Sequence, residues 1–463
     1  MFDKQMYLAR RVGLIERMNT GLVLLLGNES VGRNYRANTY NFRQDSTFLY
    51  YFGLQKAGLI GVVDIDAGRS HLFGDDADLD TIIWTGTQSS LHELAERVGV
   101  ESSHSYAAII SFLKQAIQQG RSIHLLPPYR LQQEQCLSKW LNIPVHLVAA
   151  QASVALIRAV VAQRSIKSVE EVEAMEHAIN ISGVIHETLM QKAAVGMQEA
   201  QLAGIAKGTA VGMHGDLAYS PIVTVQGQIL HNHHHHHILQ DGQLVLVDAG
   251  AETAEGYAGD ITRTFPVSGQ FTAPQKAIYE IVLDAQMSVI RMLKPDIAYR
   301  DMHILAAARI VEGLKAIGLM RGDTNEAVAA GAHALFFPHG LGHHIGLDVH
   351  DMENLGEDYV GYDTHIRRST QFGTAYLRLG KHLAAGNVIT VEPGIYFIPE
   401  LMDRWQQAAK FVEFINYDAL THYRGFSGIR IEDDVLITEN GHRVLGKPIP
   451  KTIQEVETAC QKR

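Results

Sequence analysis

Cysteine is nearly absent: Cys136 and Cys460 are the two in 463 residues, too far apart in sequence for a disulfide framework and suited to a reducing compartment. Long apolar runs are also missing, since no uncharged stretch approaches the roughly 18–20 residues that span a bilayer. The first residues, Met1-Phe-Asp-Lys-Gln5, lack the charged and apolar regions of a secretory signal, so the expected location is the cytoplasm. Basic excess is missing too. Forty Lys+Arg against fifty Asp+Glu give a formal charge of −10, which argues against a nucleic-acid binder working through a basic face. With 46% hydrophobic residues, the chain fits neither disorder nor a fibrous repeat, and no repeat of fixed period occurs. What is abundant is histidine, whose 24 copies exceed both Phe (15) and Tyr (17).

The length suggests two or three domains. In the first part, Leu22–Leu26, Leu59–Ile65, Thr81–Trp84, Ser122–Leu126 and Pro144–Val148 read as strands. Residues 4–18, 90–98, 105–118 and 130–141 carry helical apolar spacing between them, an α/β alternation. A boundary is expected near Gln163–Lys167, giving an amino-terminal domain over 1–163 and a second over 164–463. Ser168 and Glu171 form a capping box that opens a helix running to about Ala194, and a second helix covers about Met197–Met213. Strand-like segments follow at Ile222–Val225, Leu244–Asp248 and Tyr257–Thr264, then helices at about 274–293 and 299–318, then strands at Val388–Glu392 and Gly428–Ile437. The second domain reads as α+β with mostly antiparallel strands.

The densest histidine cluster is His231-Asn-His-His-His-His-His237. Imidazoles bind metals, which suggests a store or sensor, but the reading preferred for His233–His237 is an exposed loop before the turn Gln240-Asp241-Gly242. Four acids are more telling. Asp248 ends Leu-Val-Leu-Val-Asp, Asp260 lies in Gly-Asp-Ile-Thr-Arg-Thr-Phe, Glu392 ends Val-Ile-Thr-Val-Glu-Pro-Gly, and Glu432 lies in Ile-Arg-Ile-Glu-Asp-Asp-Val. Singly, Asp248 could be a turn residue, Asp260 a cap, and Glu432 the ion-pair partner of Arg430 on its own strand face. As a set they pose an electrostatic problem, because an unpaired buried carboxylate costs several kcal/mol. Two divalent cations would balance four carboxylates, the electrostatics of a two-metal hydrolase. Between them lies Phe337-Pro-His-Gly-Leu-Gly-His-His-Ile-Gly-Leu-Asp-Val-His-Asp351, in which Pro338 and three glycines make a helix improbable and an irregular segment presenting His339, His343 and His350 more plausible. No Walker loop or G-x-S-x-G elbow occurs.

In order along the chain, Val-Asp-Ala-Gly, Gly-Asp-Ile-Thr-Arg-Thr-Phe-Pro, His-Gly-Leu-Gly-His, Val-Glu-Pro-Gly and Gly-Ile-Arg-Ile-Glu-Asp-Asp resemble the proline-specific metallopeptidases of the pita-bread fold, aminopeptidase P and prolidase. Tyr40–Phe48 resembles that family's amino-terminal domain and Ile166–Glu171 its interdomain segment. The resemblance implies an α/β amino-terminal domain followed by an α+β pita-bread catalytic domain. It implies five metal ligands, Asp248, Asp260, His343, Glu392 and Glu432, with Asp260 and Glu432 bridging two divalent ions. An oxygen-rich set of this kind favours Mn2+, with Co2+ or Zn2+ as substitutes. Glu392 is implied as the proton shuttle, His350 as oxyanion stabiliser, His231 and His339 as substrate-side histidines, and Arg430 and Tyr396 as supports of the ligands. Asp248 and Asp260 stand 12 apart, one more than the common family spacing, which leaves the register of the hairpin around Glu252–Gly256 open. The tract His233–His237 is outside the family pattern.

Within the resemblance, the long segment after His350 and Arg378, 14 residues before Glu392, match prolidase, whose arginine binds the free carboxylate of a dipeptide. The expectation is therefore an Xaa-Pro dipeptidase acting on small peptides with proline second, with aminopeptidase P on longer peptides as the alternative. A catalytically dead pita-bread binding module is the alternative of another class, and such modules lose ligands that this chain keeps. By the same resemblance a homodimer or homotetramer is expected.

Overall fold

The computed structural model describes residues 1–461. The chain divides into two compact units: Met1–Arg164 with Met352–Tyr359, and Ser165–Asp351 with the chain from Val360 onward. Among the described residues no helix is long and apolar enough to cross a membrane.

The first unit is built on a five-stranded mixed sheet. Its order is Ser102–His104, Arg69–Phe73, Ile60–Asp64, Leu22–Leu26, Ile123–His124, with antiparallel pairs inside and parallel pairs at both edges. One face packs Leu22, Leu24, Ile60, Val62 and Phe73 against Ile109, Leu113 and Trp140 from the helices Ala108–Gln118 and Leu131–Leu141. Each such side chain contributes roughly 1.5–3 kcal/mol on burial. The helix Lys4–Arg17, capped by Asp3, buries Arg11, whose guanidinium donates to the carbonyls of Tyr51, Val98 and Gly99. Two expected strands are helical. Thr81–Trp84 lies in the helix Leu79–Thr85, where Asp78 caps the N–H of Thr81 and no residue is buried. Pro144–Val148 contains the helical turn Val145–Val148. Ile82-Ile83-Trp84 has strand composition, but it has no neighbouring strand to pair with, and cap chemistry decides.

In the second unit Ser168 and Glu171 form both bonds of the capping box, opening the helix Val169–Lys192. The helix Glu199–Gly212 follows. All strand pairs here are antiparallel. One sheet has the order Thr262–Pro266, Leu244–Asp248, Ile222–Thr224, and another Val388–Val391, Asp433–Thr438, Gly441–Val444. The helices Ala273–Met292 and Tyr299–Ala316 pack Ile278, Val282, Ala306 and Ile310 into the same core as Val245, Phe265, Ile389 and Val435. The expected strand Gly428–Ile437 is split into Gly428–Arg430 and Asp433–Thr438, and the expected Val388–Glu392 ends at Val391 before Gly394–Tyr396 resumes. Both breaks fall at the same level, where Pro393 has no N–H to offer a ladder and its carbonyl instead accepts from Ile431. The strand expected over Tyr257–Thr264 begins only at Thr262, because 251–258 forms a side excursion in which Ala251–Glu252 pairs with Asp216–Leu217.

Candidate metal centre

The register of the strands gathers the acids. Thr262 is directly opposite Asp248 on one side and bridges to Glu432 on the other. Residues directly opposite in a ladder share a face, and Asp260, two residues before the strand begins, is held beside Asp248 by the Tyr219 hydroxyl, which reaches both. Asp248 and Asp260, 12 apart in sequence, thus become neighbours, with 251–258 forming the excursion between them. Gly250 sits where that excursion returns, since a Cβ there would lie 1.7 Å from the carbonyl oxygen of Gly259.

Glu392 and His343 come from the other sheet. The glycine-rich segment runs as an extended edge beside Val388–Val391: Glu392 N–H donates to Leu341, Thr390 N–H to His343, and Ile345 N–H to Val388. Thr390 Oγ1 also accepts from His343 N–H at 3.1 Å. Residue 342 must be glycine, because a Cβ would approach the Thr390 carbonyl to 2.2 Å. His343 Nδ1 is 3.0 Å from its neighbour's carbonyl oxygen, so Nδ1 carries the proton and Nε2 is left for a ligand. That Nε2 lies 3.5 Å from both Asp260 Oδ2 and Glu392 Oε1. Asp260, His343 and Glu432 each offer a donor atom within 4.8 Å of the others.

Asp248, Asp260, His343, Glu392 and Glu432 all line one cavity of about 610 Å³, with His231, His339, His350, Arg378 and Arg430. Asp260 and Glu432 are buried, whereas Asp248 and Glu392 keep 15% and 18% of their side-chain surface exposed. The His350 ring meets that of His343 at 4.3 Å, edge to face. Arg430 forks three ways, to Asp248 Oδ2, to Tyr396 OH at 3.0 Å and to Thr262 Oγ1 at 3.2 Å. Tyr396 OH is 2.9 Å from His339 Nε2, and His339 Nδ1 is 2.8 Å from the Gly340 carbonyl oxygen. A carbonyl only accepts, so His339 is a neutral imidazole that receives the Tyr396 proton, and burial followed by the charge of Arg430 pushes it down to about 3. The single-residue alternative, Arg430 paired with Glu432 on one strand face, is not what forms: Arg430 reaches Asp248 and Tyr396, and Glu432 accepts from Thr262 Oγ1 at 2.6 Å.

These carboxyls carry more negative charge than the protein around them neutralises. Burial raises Glu392 to about 7 and pushes Glu432 well above the carboxylate range, reinforced for Glu432 by Asp260, Glu392 and Asp248. Burial also raises Asp248 against the opposing pull of Arg430. Asp260 goes the other way: burial raises it, but the hydrogen bond and charge of His343 outweigh burial. His343 is raised in turn, its burial outweighed by Asp260 and Glu392. Four carboxylates against one arginine and one imidazole fit a site that takes divalent cations.

Several residues of the site escaped the sequence. Tyr219 OH reaches Asp248 Oδ1 at 2.7 Å and Asp260 Oδ1 at 2.6 Å, and nothing in Ala218-Tyr-Ser-Pro221 signals it. Asp434 accepts the N–H of Asp260 at 2.9 Å, and Asp433 is held ionised by Arg263 and Lys451 despite its burial. The three consecutive acids 432–434 thus have three separate jobs, for which an acidic motif gives only a hint. Glu400 and Arg404, on the helix Pro399–Gln407, also line the cavity. Of the histidine tract, only His231 reaches it.

Comparison with known proteins identifies the family of the chain. The profile of metallopeptidase family M24 matches residues 173–439, and that of the aminopeptidase P N-terminal domain matches residues 7–125. The Xaa-Pro dipeptidase of Homo sapiens is 32% identical over 459 residues, covering 95% of this chain and 88% of that protein. The Xaa-Pro aminopeptidase of Escherichia coli (strain K12) is 32% identical over 468 residues, covering 98% and 97%. The solved structure of Pseudomonas aeruginosa aminopeptidase PepP superposes with a TM-score of 0.82 at 29% identity over 99% of this chain and 98% of that one. With its α/β amino-terminal domain and its α+β pita-bread catalytic domain, the chain belongs to metallopeptidase family M24.

Proposed function

We propose that this enzyme is a dinuclear, metal-dependent Xaa-Pro dipeptidase, its domains dividing at residues 163 and 164. The observation that carries the reading is the meeting of four carboxylates and His343 in a cavity whose wall also holds Arg378. The human dipeptidase and the bacterial aminopeptidase are equally similar at 32%, so identity does not choose between them. An arginine in the cavity wall favours the dipeptidase, because a guanidinium fork suits a free carboxylate.

Asp248, Asp260, His343, Glu392 and Glu432 would hold the two ions, and their hard oxygen donors suit Mn2+ best, with Co2+ or Zn2+ as substitutes. When bound, the ions polarise the scissile carbonyl and make water a nucleophile at neutral pH. Glu392 takes the proton of the attacking water and delivers it to the prolyl nitrogen as the C–N bond breaks. His350, beside His343, donates to the carbonyl oxygen as negative charge develops there. His231, which lines the same cavity, binds the substrate. Arg378 pairs with the proline carboxylate, and a longer peptide would present a neutral amide to it instead. His339 acts as a positioning residue, since both ring nitrogens are engaged by Gly340 and Tyr396. Arg430 fixes the orientation of Asp248 and, through Tyr396, of His339.

The test is hydrolysis of Gly-Pro and of Gly-Pro-Xaa by chelated protein and after Mn2+ is restored. Mn2+-dependent cleavage of the dipeptide in preference to the tripeptide is expected. No metal-dependent cleavage of either would overturn the peptidase reading, and equal cleavage of both would assign the aminopeptidase instead.

A further inference from the structure

The histidine tract is not a uniform solvated run, because its residues are held differently. Asn232 Nδ2 donates to Thr224 Oγ1, and the N–H of His234 donates to Asn232 Oδ1. The carbonyls of His235 and His237 accept from the backbone N–H groups of Ala200 and Glu199 at the start of the helix Glu199–Gly212. Glu199 is fully buried and accepts four bonds: from Val225 N–H, Thr224 Oγ1, His237 N–H and His237 Nδ1, the last at 3.0 Å. Because a carboxylate only accepts, Nδ1 is the donor in this pair, and Nε2 is the nitrogen of His237 left to act as a ligand. A carboxylate behind Nδ1 is the arrangement that orients metal-binding histidines and raises their basicity.

His237 and His236 line a second cavity, of about 520 Å³, that shares no lining residue with the catalytic one. Their ring centroids are 4.2 Å apart and His236 is exposed, which puts two imidazoles side by side in the wall of this cavity. Gln228 lines the same cavity, and its Oε1 is buried with no hydrogen-bond partner among the described residues, an acceptor oxygen waiting for a donor or a cation. The one cationic side chain in the wall, Arg424, is already neutralised by a two-bond pair with Asp403.

We propose that His236, His237 and the Gln228 amide oxygen form an auxiliary site for an imidazole-preferring divalent ion such as Ni2+, Cu2+ or Zn2+. It differs from the catalytic centre in donor chemistry: two neutral nitrogens and an amide oxygen select these ions over Mn2+, which suits carboxylates. The experiment loads the full-length chain with Mn2+, then titrates Ni2+ by calorimetry while following retained Mn2+ by elemental analysis. One Ni2+ per chain is expected to bind with Mn2+ content unchanged. The exposed variant His236→Ala should weaken it at least 10-fold, and His237→Gln likewise, while His233→Ala/His234→Ala stays within 2-fold of wild type. No Ni2+ binding beyond displaced Mn2+ would overturn the proposal. So would wild-type affinity in His236→Ala, or loss of binding in His233→Ala/His234→Ala, which would mark the tract as an unstructured chelator.

Discussion

Arg430 bonds directly to Asp248 of the centre, which makes Arg430→Met a direct test of the site's electrostatics. The side chains of Arg430 and Asp248 are 5% and 15% exposed, so their ion pair is a buried one. Removing one partner of such a pair costs about 3–5 kcal/mol, because the remaining charge is left uncompensated. At roughly 2–4 °C per kcal/mol for domains of 150–250 residues, the loss is about 6–20 °C, and the larger catalytic unit points to the lower half of that range. This holds for chelated protein. With Mn2+ present, the cation supplies the counter-charge that Asp248 has lost, so the deficit should shrink by half or more. Arg430→Lys restores the charge but not the three-way fork to Asp248, Tyr396 and Thr262, and should fall between the two. Thermal unfolding followed by circular dichroism, in EDTA and in Mn2+, reads all three proteins. A chelated Arg430→Met protein unfolding within about 2 °C of wild type would refute the reasoning. An equal deficit with and without Mn2+ would refute the compensation.

Arg378→Ala should raise KM for Gly-Pro by about 10- to 100-fold, the worth of a charge-assisted hydrogen bond, while sparing Gly-Pro-Xaa; equal losses on both would remove Arg378 from carboxylate binding. Glu392 is raised to about 7 by burial, so the folded state holds its proton where the unfolded chain has released it. Its favourable contribution is present below the unfolded carboxyl pKa and is lost as pH rises through about 7. Chelated Glu392→Gln should therefore be more stable than chelated wild type at pH 8, with the gap closing toward pH 5, and unfolding curves in which the variant is no better at pH 8 would contradict this. His303 has the opposite sign: burial holds it neutral, down to about 3, with both ring nitrogens unpartnered among the described residues. Below the unfolded value near 6.5 only the unfolded chain takes up the proton, so stability falls as pH drops through that value. His303→Phe should gain on wild type at pH 5 relative to pH 8 in denaturant titrations, and an unchanged difference between the two pH values would exclude this role.

Much of the fold was readable where local chemistry decides. The Ser168 and Glu171 capping box starts its helix, and the run Leu-Val-Leu-Val makes the strand that ends on Asp248. Helices at 4–18, 90–98, 105–118 and 130–141 stand within three residues of the expected positions. Reading failed where a partner distant in sequence decides. Thr81–Trp84 has strand composition but no strand beside it, whereas Arg69–Phe73 forms a strand that its mixed sequence does not announce.

The sequence by itself determined which residues are available for chemistry: four acids at strand ends, a glycine-rich segment carrying histidines, and an arginine two residues before Glu432. Those depend on residue type and local spacing, which are written in the chain. Only the tertiary structure decided how they are used. The ladder position of Thr262 sets Asp248 and Glu432 on one face, the coincident breaks at Pro393 and Ile431 free Glu392 and turn Arg430 toward Asp248, and Tyr219 joins the acids from a segment with no motif. The surplus of histidine likewise separates only in space, where burial, hydrogen-bond partners and cavity walls give each imidazole a different environment. The physical reason is that strand register and buried charge pairing are long-range: their energies depend on the neighbour across the ladder, which the local sequence does not name.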